Sequence, residues 1–147
     1  MYNFYKRDKY ALCTIILKGE DMLNVLVVDD SMIIRRNITK MLKQMGCNVL
    51  AEAKNGKEAI ELYKKHNPDF VTMDITMPEM TGVEALKAIK SDFKDAVVIM
   101  ITSHGQEELV MDAIKSGAKG YILKPITIEK LENSVKKVFP NAELITA

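Results

Sequence analysis

The strongest constraint on this chain is a rhythm: from residue 23 to residue 139, short apolar runs alternate five times with longer amphipathic stretches. A strand covered on both faces reads as a nearly unbroken apolar run, whereas a helix lying on a sheet shows an apolar stripe. Alternation of the two predicts βα units around a parallel sheet. The expected strands are residues 23–28, 48–53, 70–73, 97–101 and 121–123. Ser31 can cap a first helix in which Ile34, Ile38, Met41, Leu42 and Met45 recur at helical spacing until Gly46 stops it. A second helix is expected over residues 56–66, with Ala59, Ile60 and Tyr63 inward and Pro68 closing the unit. A third carries Val83, Leu86, Ile89 and Phe93, a fourth spans about 107–116 before Gly117, and a fifth spans 127–139. Right-handed crossovers then make an α/β fold, a five-stranded parallel doubly wound sheet with helices on both faces.

At 147 residues there is room for one domain of ordinary size, placed at 22–140. Residues 1–21 hold four of the nine aromatics without periodicity and read as an N-terminal extension, disordered or a start-site artefact, since Met22 directly precedes the first strand. Residues 141–147 read as a short tail. Composition, 48% hydrophobic and 28% charged, is that of a globular protein. A net charge of +1 with no dominant basic stripe gives DNA binding no electrostatic support, and Arg35-Arg36 and Lys136-Lys137 read as solvated helix faces. Cys13 and Cys47 lack zinc or redox spacing and are expected as reduced thiols. The apolar run at 11–17 is too short to span a bilayer and has no small-residue cleavage site after it. A cytoplasmic protein without membrane insertion is expected.

Open parallel sheets bind ligands outside the carboxyl ends of their strands, near the reversal of strand order. At those ends stand Asp29 and Asp30, Asp74, Thr102 and Lys124. Singly, each has a bland reading: a solvated acidic turn, a helix cap, an ordinary lysine before proline. Jointly, each at the end of a separate strand, they describe a site. Three clustered carboxylates raise one another's pKa and gain from a hard divalent cation, and an all-oxygen set favours Mg2+ over zinc. The cation would also offset the repulsion that a phosphoryl group meets on approaching Asp74. Lys124 and Thr102 supply a point charge and a hydroxyl donor for phosphoryl oxygens, so Asp74 is the expected nucleophile and phosphoacceptor.

The stretches Val27-Val28-Asp29-Asp30-Ser31, Val71-Thr72-Met73-Asp74-Ile75-Thr76-Met77-Pro78-Glu79-Met80-Thr81-Gly82, Ile101-Thr102-Ser103 and Tyr121-Ile122-Leu123-Lys124-Pro125 occur in order. In these the chain resembles the receiver domains of two-component response regulators, over about residues 22–140, and most of all the single-domain chemotaxis members. The resemblance implies the flavodoxin-like strand order 2-1-3-4-5. It implies phosphorylation of Asp74, with magnesium held by Asp30, Asp74 and the backbone carbonyl of Thr76, and Asp29 assisting through water. It implies a switch made of Thr102, whose hydroxyl moves toward the phosphoryl group, and Tyr121, whose ring turns inward. It further implies a cis bond at Lys124-Pro125. Thr76 and His104 occupy positions that vary in the family and would flank the path of attacking water, as candidates for setting the dephosphorylation rate. Gly105 and Gln106 continue that loop as a mobile segment.

The implied function is that of a stand-alone monomeric switch in two-component signalling, phosphorylated by a CheA-like sensor histidine kinase. Its surface around the fourth helix, fifth strand and fifth helix would bind a flagellar motor switch protein or another phosphorylation-dependent partner. It would be no enzyme beyond catalysing its own phosphorylation and dephosphorylation. One alternative is a phosphorelay carrier that passes phosphate to a histidine phosphotransferase. A different class, an Asp-nucleophile phosphohydrolase, would need a second Asp two residues after the nucleophile, where this chain has Thr76. A flavodoxin-like FMN carrier is disfavoured by the acidic rim and by the lack of a glycine-rich phosphate loop after the first strand.

Overall fold

The computed structural model describes residues 22–145. The expected extension at 1–21, with Cys13 and its aromatics, lies outside the described residues, as does the end of the expected tail. The described elements are β1 (Asn24–Val28), α1 (Met32–Gln44), β2 (Asn48–Ala53), α2 (Gly56–His66), β3 (Phe70–Asp74), α3 (Gly82–Asp92), β4 (Val98–Thr102), α4 (Glu107–Lys115), β5 (Gly120–Leu123) and α5 (Ile128–Val138). All neighbouring strands pair in parallel, in the order β2-β1-β3-β4-β5. The flavodoxin-like order that the resemblance implied is therefore the one observed. β1 and β4 start one residue later than the apolar pattern suggests and β5 one residue earlier, and both β3 and β4 run one residue further, to end on a polar residue, Asp74 and Thr102.

Alternation along each strand sorts the core into two layers. Leu26, Val28, Val71, Met73, Val98 and Met100 face one side, where Ala59, Leu86 and Ala113 bring α2, α3 and α4 onto the sheet. Val25, Val27, Phe70, Ile99 and Ile101 face the other, against Leu42 of α1 and Leu131 of α5. Burying side chains of this size contributes roughly 1.5–3 kcal/mol each, which is why the inner strands tolerate almost nothing polar. Local chemistry sets the helix boundaries. Ser31, Asn55, Thr81 and Thr127 each accept a backbone N–H from the first turn of the helix they precede. Asn67 ends α2 in the left-handed region at φ 45°, a conformation asparagine tolerates, and Pro68 prevents continuation. The expected cis Lys124-Pro125 bond is present. No described helix is long and apolar enough to cross a membrane. Cys47 is a free, buried thiol, pushed up to about 11 by burial and by the Asp69 charge.

Strand order reverses between β1 and β3: the chain moves outward from β1 to β2, then returns to build β3, β4 and β5 on the other side. Connections therefore diverge to opposite faces above the carboxyl ends of β1 and β3, which leaves a crevice there.

Candidate functional site

That crevice is acidic. Asp29 follows β1 directly, and Asp74 is the last residue of β3, so strand geometry rather than loop flexibility places both. One carboxylate oxygen each from Asp29, Asp30 and Asp74 lies within 4.8 Å of the others. Asp29 and Asp74 are buried and Asp30 is exposed. Among the described residues the ammonium drawn against the buried pair is that of Lys124, just after β5, whose Nζ lies 3.4 Å from Asp74 Oδ1 and 3.6 Å from Asp29 Oδ2. Lys124 is held from two sides. Its backbone N–H donates to the Thr102 carbonyl at 2.7 Å, and the Lys130 ammonium of α5 donates to the Leu123 and Pro125 carbonyls.

Burial, with the Asp29 charge second, pushes the Asp74 carboxyl up from 3.8 to about 7; Lys124 pulls the other way without overcoming it. Asp29 is also raised, again chiefly by burial, although its Oδ1 accepts the Ser31 N–H at 2.8 Å. Its Oδ2 is buried without a hydrogen-bond donor, since Lys124 stands within ion-pair reach but beyond hydrogen-bond length. A buried carboxylate oxygen left in that condition is costly unless something positive meets it. The donor set is all oxygen, with neither imidazole nor thiolate. It therefore fits a hard divalent cation and not zinc.

Around this cluster the other expected residues fall into two groups. Thr102, Lys124 and the Thr76 segment line the same rim, because β4 and β5 follow β3 in the sheet. Thr102 is buried and its hydroxyl donates to Gln106 Oε1 at 2.9 Å. Thr76 is exposed and is tied to the same glutamine through its Oγ1. His104 is exposed in the loop between β4 and α4 and takes no part in that network. Tyr121 is 55% exposed, so its ring stands outward from β5.

Three residues matter to the site without having been singled out for it by the sequence. Gly82 opens α3 against the Asp74 carbonyl so closely that a Cβ there would lie 2.0 Å from that oxygen. Arg35 donates through Nη1 to the Asp29 carbonyl at 2.8 Å and through Nε to Glu52 at 3.1 Å, which braces the end of β1 against α1 and β2. Gln106 bridges the loops after β3 and β4. Gly82 stood at the end of a quoted motif and could have been found there; for the other two no local pattern carries the signal.

Comparisons with known proteins agree with this geometry. The response regulator receiver domain family matches residues 25–136. Chemotaxis protein CheY of Bacillus subtilis is 47% identical over 77% of this chain and 94% of its own length. Chemotaxis protein CheY of Thermotoga maritima is 43% identical over 78% of this chain and 95% of its own length. Among solved structures, the CheX-CheY-BeF3-Mg+2 complex from Borrelia burgdorferi contains a chain that superposes with a TM-score of 0.76 at 43% identity, covering 80% of this chain and 89% of that one. With its strand order, its acidic crevice and these relatives taken together, the chain belongs to the response regulator receiver domains of two-component signalling and is CheY-like within them.

Proposed function

We propose that the domain accepts a phosphoryl group on Asp74 and signals through phosphorylation-dependent protein binding in chemotaxis. The observation that carries this reading is the buried Asp74 carboxylate at the end of β3, facing Lys124 at 3.4 Å beside a second buried carboxylate that lacks a donor. An Asp74 oxygen attacks the phosphorus of a phosphohistidine on a CheA-like sensor kinase. The P–N bond breaks, the imidazole leaves with the bonding pair and takes a proton from water, and an acyl phosphate results. Asp29, Asp30, Asp74 and the Thr76 backbone carbonyl would hold Mg2+, which when bound supplies positive charge against the repulsion between the carboxylates and the phosphoryl oxygens. Lys124 places its ammonium beside the acceptor and neutralises developing charge. The Thr102 hydroxyl donates to a phosphoryl oxygen, and the Tyr121 ring follows it inward from its exposed position. Thr76 and His104 set the dephosphorylation rate.

The output surface is formed by α4, β5 and α5, where Leu109, Met111, Ile114 and Tyr121 are exposed. The partner is a flagellar motor switch protein or another protein that reads the phosphorylated form. The CheX-CheY-BeF3-Mg+2 complex of the Borrelia burgdorferi relative supports both the metal and a protein partner. The domain acts as a cytoplasmic monomer and catalyses only its own phosphorylation and dephosphorylation.

Acetyl phosphate should label the wild type, and Asp74→Ala should abolish the label, read by mass spectrometry. Magnesium should raise the melting temperature of the wild type more than that of Asp30→Ala. A labelled alanine variant, or an equal metal effect in both proteins, overturns the assignment. Pulldown with and without beryllofluoride identifies the partner.

A further inference from the structure

The β4–α4 loop contains one side chain whose bonds all lead to the switch. The Gln106 Oε1 accepts the Ser103 backbone N–H at 2.8 Å and the Thr102 hydroxyl at 2.9 Å, and its Nε2 donates to Thr76 Oγ1. The orientation of this amide is not arbitrary. A backbone N–H can only donate, so the oxygen must face Ser103, which leaves the amide nitrogen for Thr76. Gln106 occupies the N-cap position of α4 but makes no capping bond there. Its hydrogen-bonding capacity goes instead to holding together the loops that follow β3 and β4.

We propose that Gln106 is a latch on the resting state of the Asp74 switch. The proposal rests on the reading of Asp74 and Thr102 given above. A hydroxyl has one proton, and that of Thr102 is committed to Gln106 Oε1, with the Ser103 carbonyl a more distant acceptor at 3.2 Å. Phosphoryl oxygens only accept. Thr102 therefore cannot donate to a phosphoryl group on Asp74 without releasing Gln106, so the latch and the phosphorylated arrangement compete for the same proton. Release also frees Thr76 and the loop from residue 103 to residue 106. In this way a bond that stabilises the resting form sets the ease of switching. Gln106 is a positioning residue: it acts through Thr102 and Thr76, not on the phosphoryl group.

The test is a titration with beryllofluoride, a phosphoryl mimic, at saturating magnesium, on wild type, Gln106→Met, Thr102→Val and the double variant. Met keeps the length of Gln and removes the acceptor. Loss of the Thr102–Gln106 bond, the one for which the phosphoryl group competes, should tighten beryllofluoride binding about three- to tenfold in Gln106→Met. On the Thr102→Val background the same substitution should have a markedly smaller effect, because the hydroxyl that competes for Gln106 is gone and only the Ser103 and Thr76 bonds remain to be lost. A role confined to loop folding would give the same change on both backgrounds. Gln106→Glu keeps the acceptor and adds negative charge, and should bind the mimic more weakly than wild type. In the absence of ligand, Gln106→Met should shift the Ser103 amide proton resonance upfield as its acceptor is lost. Wild type that binds beryllofluoride while Gln106→Met binds it no more tightly, or gains equally with and without the Thr102 hydroxyl, overturns the latch alone. Wild type that does not bind beryllofluoride overturns the Asp74 reading, and the latch falls with it.

Discussion

The two halves of the sheet are built to different standards. In β3 and β4 every residue is buried, and α3 places Gly82, Val83, Ala85, Leu86 and Ile89 beneath them. At the β5 edge only Ile122 of four residues is buried, and α4 is anchored by buried Ala113 with partly buried Val110 beside it. Asp74, the proposed acceptor, stands on the first half, while Tyr121 and the Gln106 loop belong to the second. Few buried anchors mean a low free energy of local opening, so the half that would rearrange in the proposed switch is the half with least to lose. On the proposed function, chemistry that needs fixed distances sits on strands packed from both faces, and the readout sits on an edge strand and a lightly held helix.

The sharpest way to break this contrast is to alter one glycine in each half. At Gly82 a methyl group would meet the Asp74 carbonyl oxygen at 2.0 Å and the Ile75 Cα at 3.0 Å, both of them backbone atoms that packing holds in place. Gly82→Ala should cost about 3 kcal/mol or more by urea denaturation, and should impair labelling of Asp74 as well. If Gly82→Ala were tolerated within about 0.5 kcal/mol, the acceptor half would be far more compliant than this account allows.

A second prediction concerns the charge stored in the rigid half. The Asp74 carboxyl titrates at about 7 when folded against 3.8 ordinarily, so between those values the folded protein holds a proton that the unfolded chain has lost. Its contribution to stability is therefore complete below the lower value and is lost as pH rises through the higher one. In metal-free buffer, Asp74→Asn should exceed the wild type in stability by a few kcal/mol at roughly pH 8, and the gain should fade toward about pH 4. A gain that did not vary with pH would mean that the buried charge is already compensated.

The smallest effect belongs to the pliable half. Gly105 has φ +85°, yet a Cβ there meets nothing within 4 Å. Gly105→Ala should cost only the strain of the left-handed conformation, about 1–2 kcal/mol in the thermal unfolding curve, and should leave Asp74 labelling intact. A cost equal to that of Gly82→Ala would erase the distinction between the halves.

Much of this architecture is legible in the sequence. The second helix lies at 56–66 as read from Ala59, Ile60, Tyr63 and Pro68, because cap, stripe and stop all agree there. Asp29, Asp74, Thr102 and Lys124 share one rim because parallel strands necessarily end on the same side. Strand ends were less legible. Asp74 and Thr102 are polar, so an apolar pattern stops one residue short of them, yet each continues the ladder of its strand. The Gln106 loop reads in sequence only as a mobile segment, and its bridge to Thr76 crosses thirty residues of sequence. No periodicity within the loop signals a partner so far away.

By itself, then, the order of apolar and polar residues determined that strands and helices alternate, which faces are buried, and that carboxylates gather where the strands end. These follow from local propensity and from the removal of apolar surface from water, and both are written along the chain. Only the tertiary structure decided that one carboxylate oxygen stays without a donor, that Gly82 is pressed against the acceptor residue, and that a glutamine holds the proton of Thr102. Each of these depends on the distance between atoms in segments far apart in the chain, which packing sets to within a fraction of an ångström and which no sequence pattern encodes.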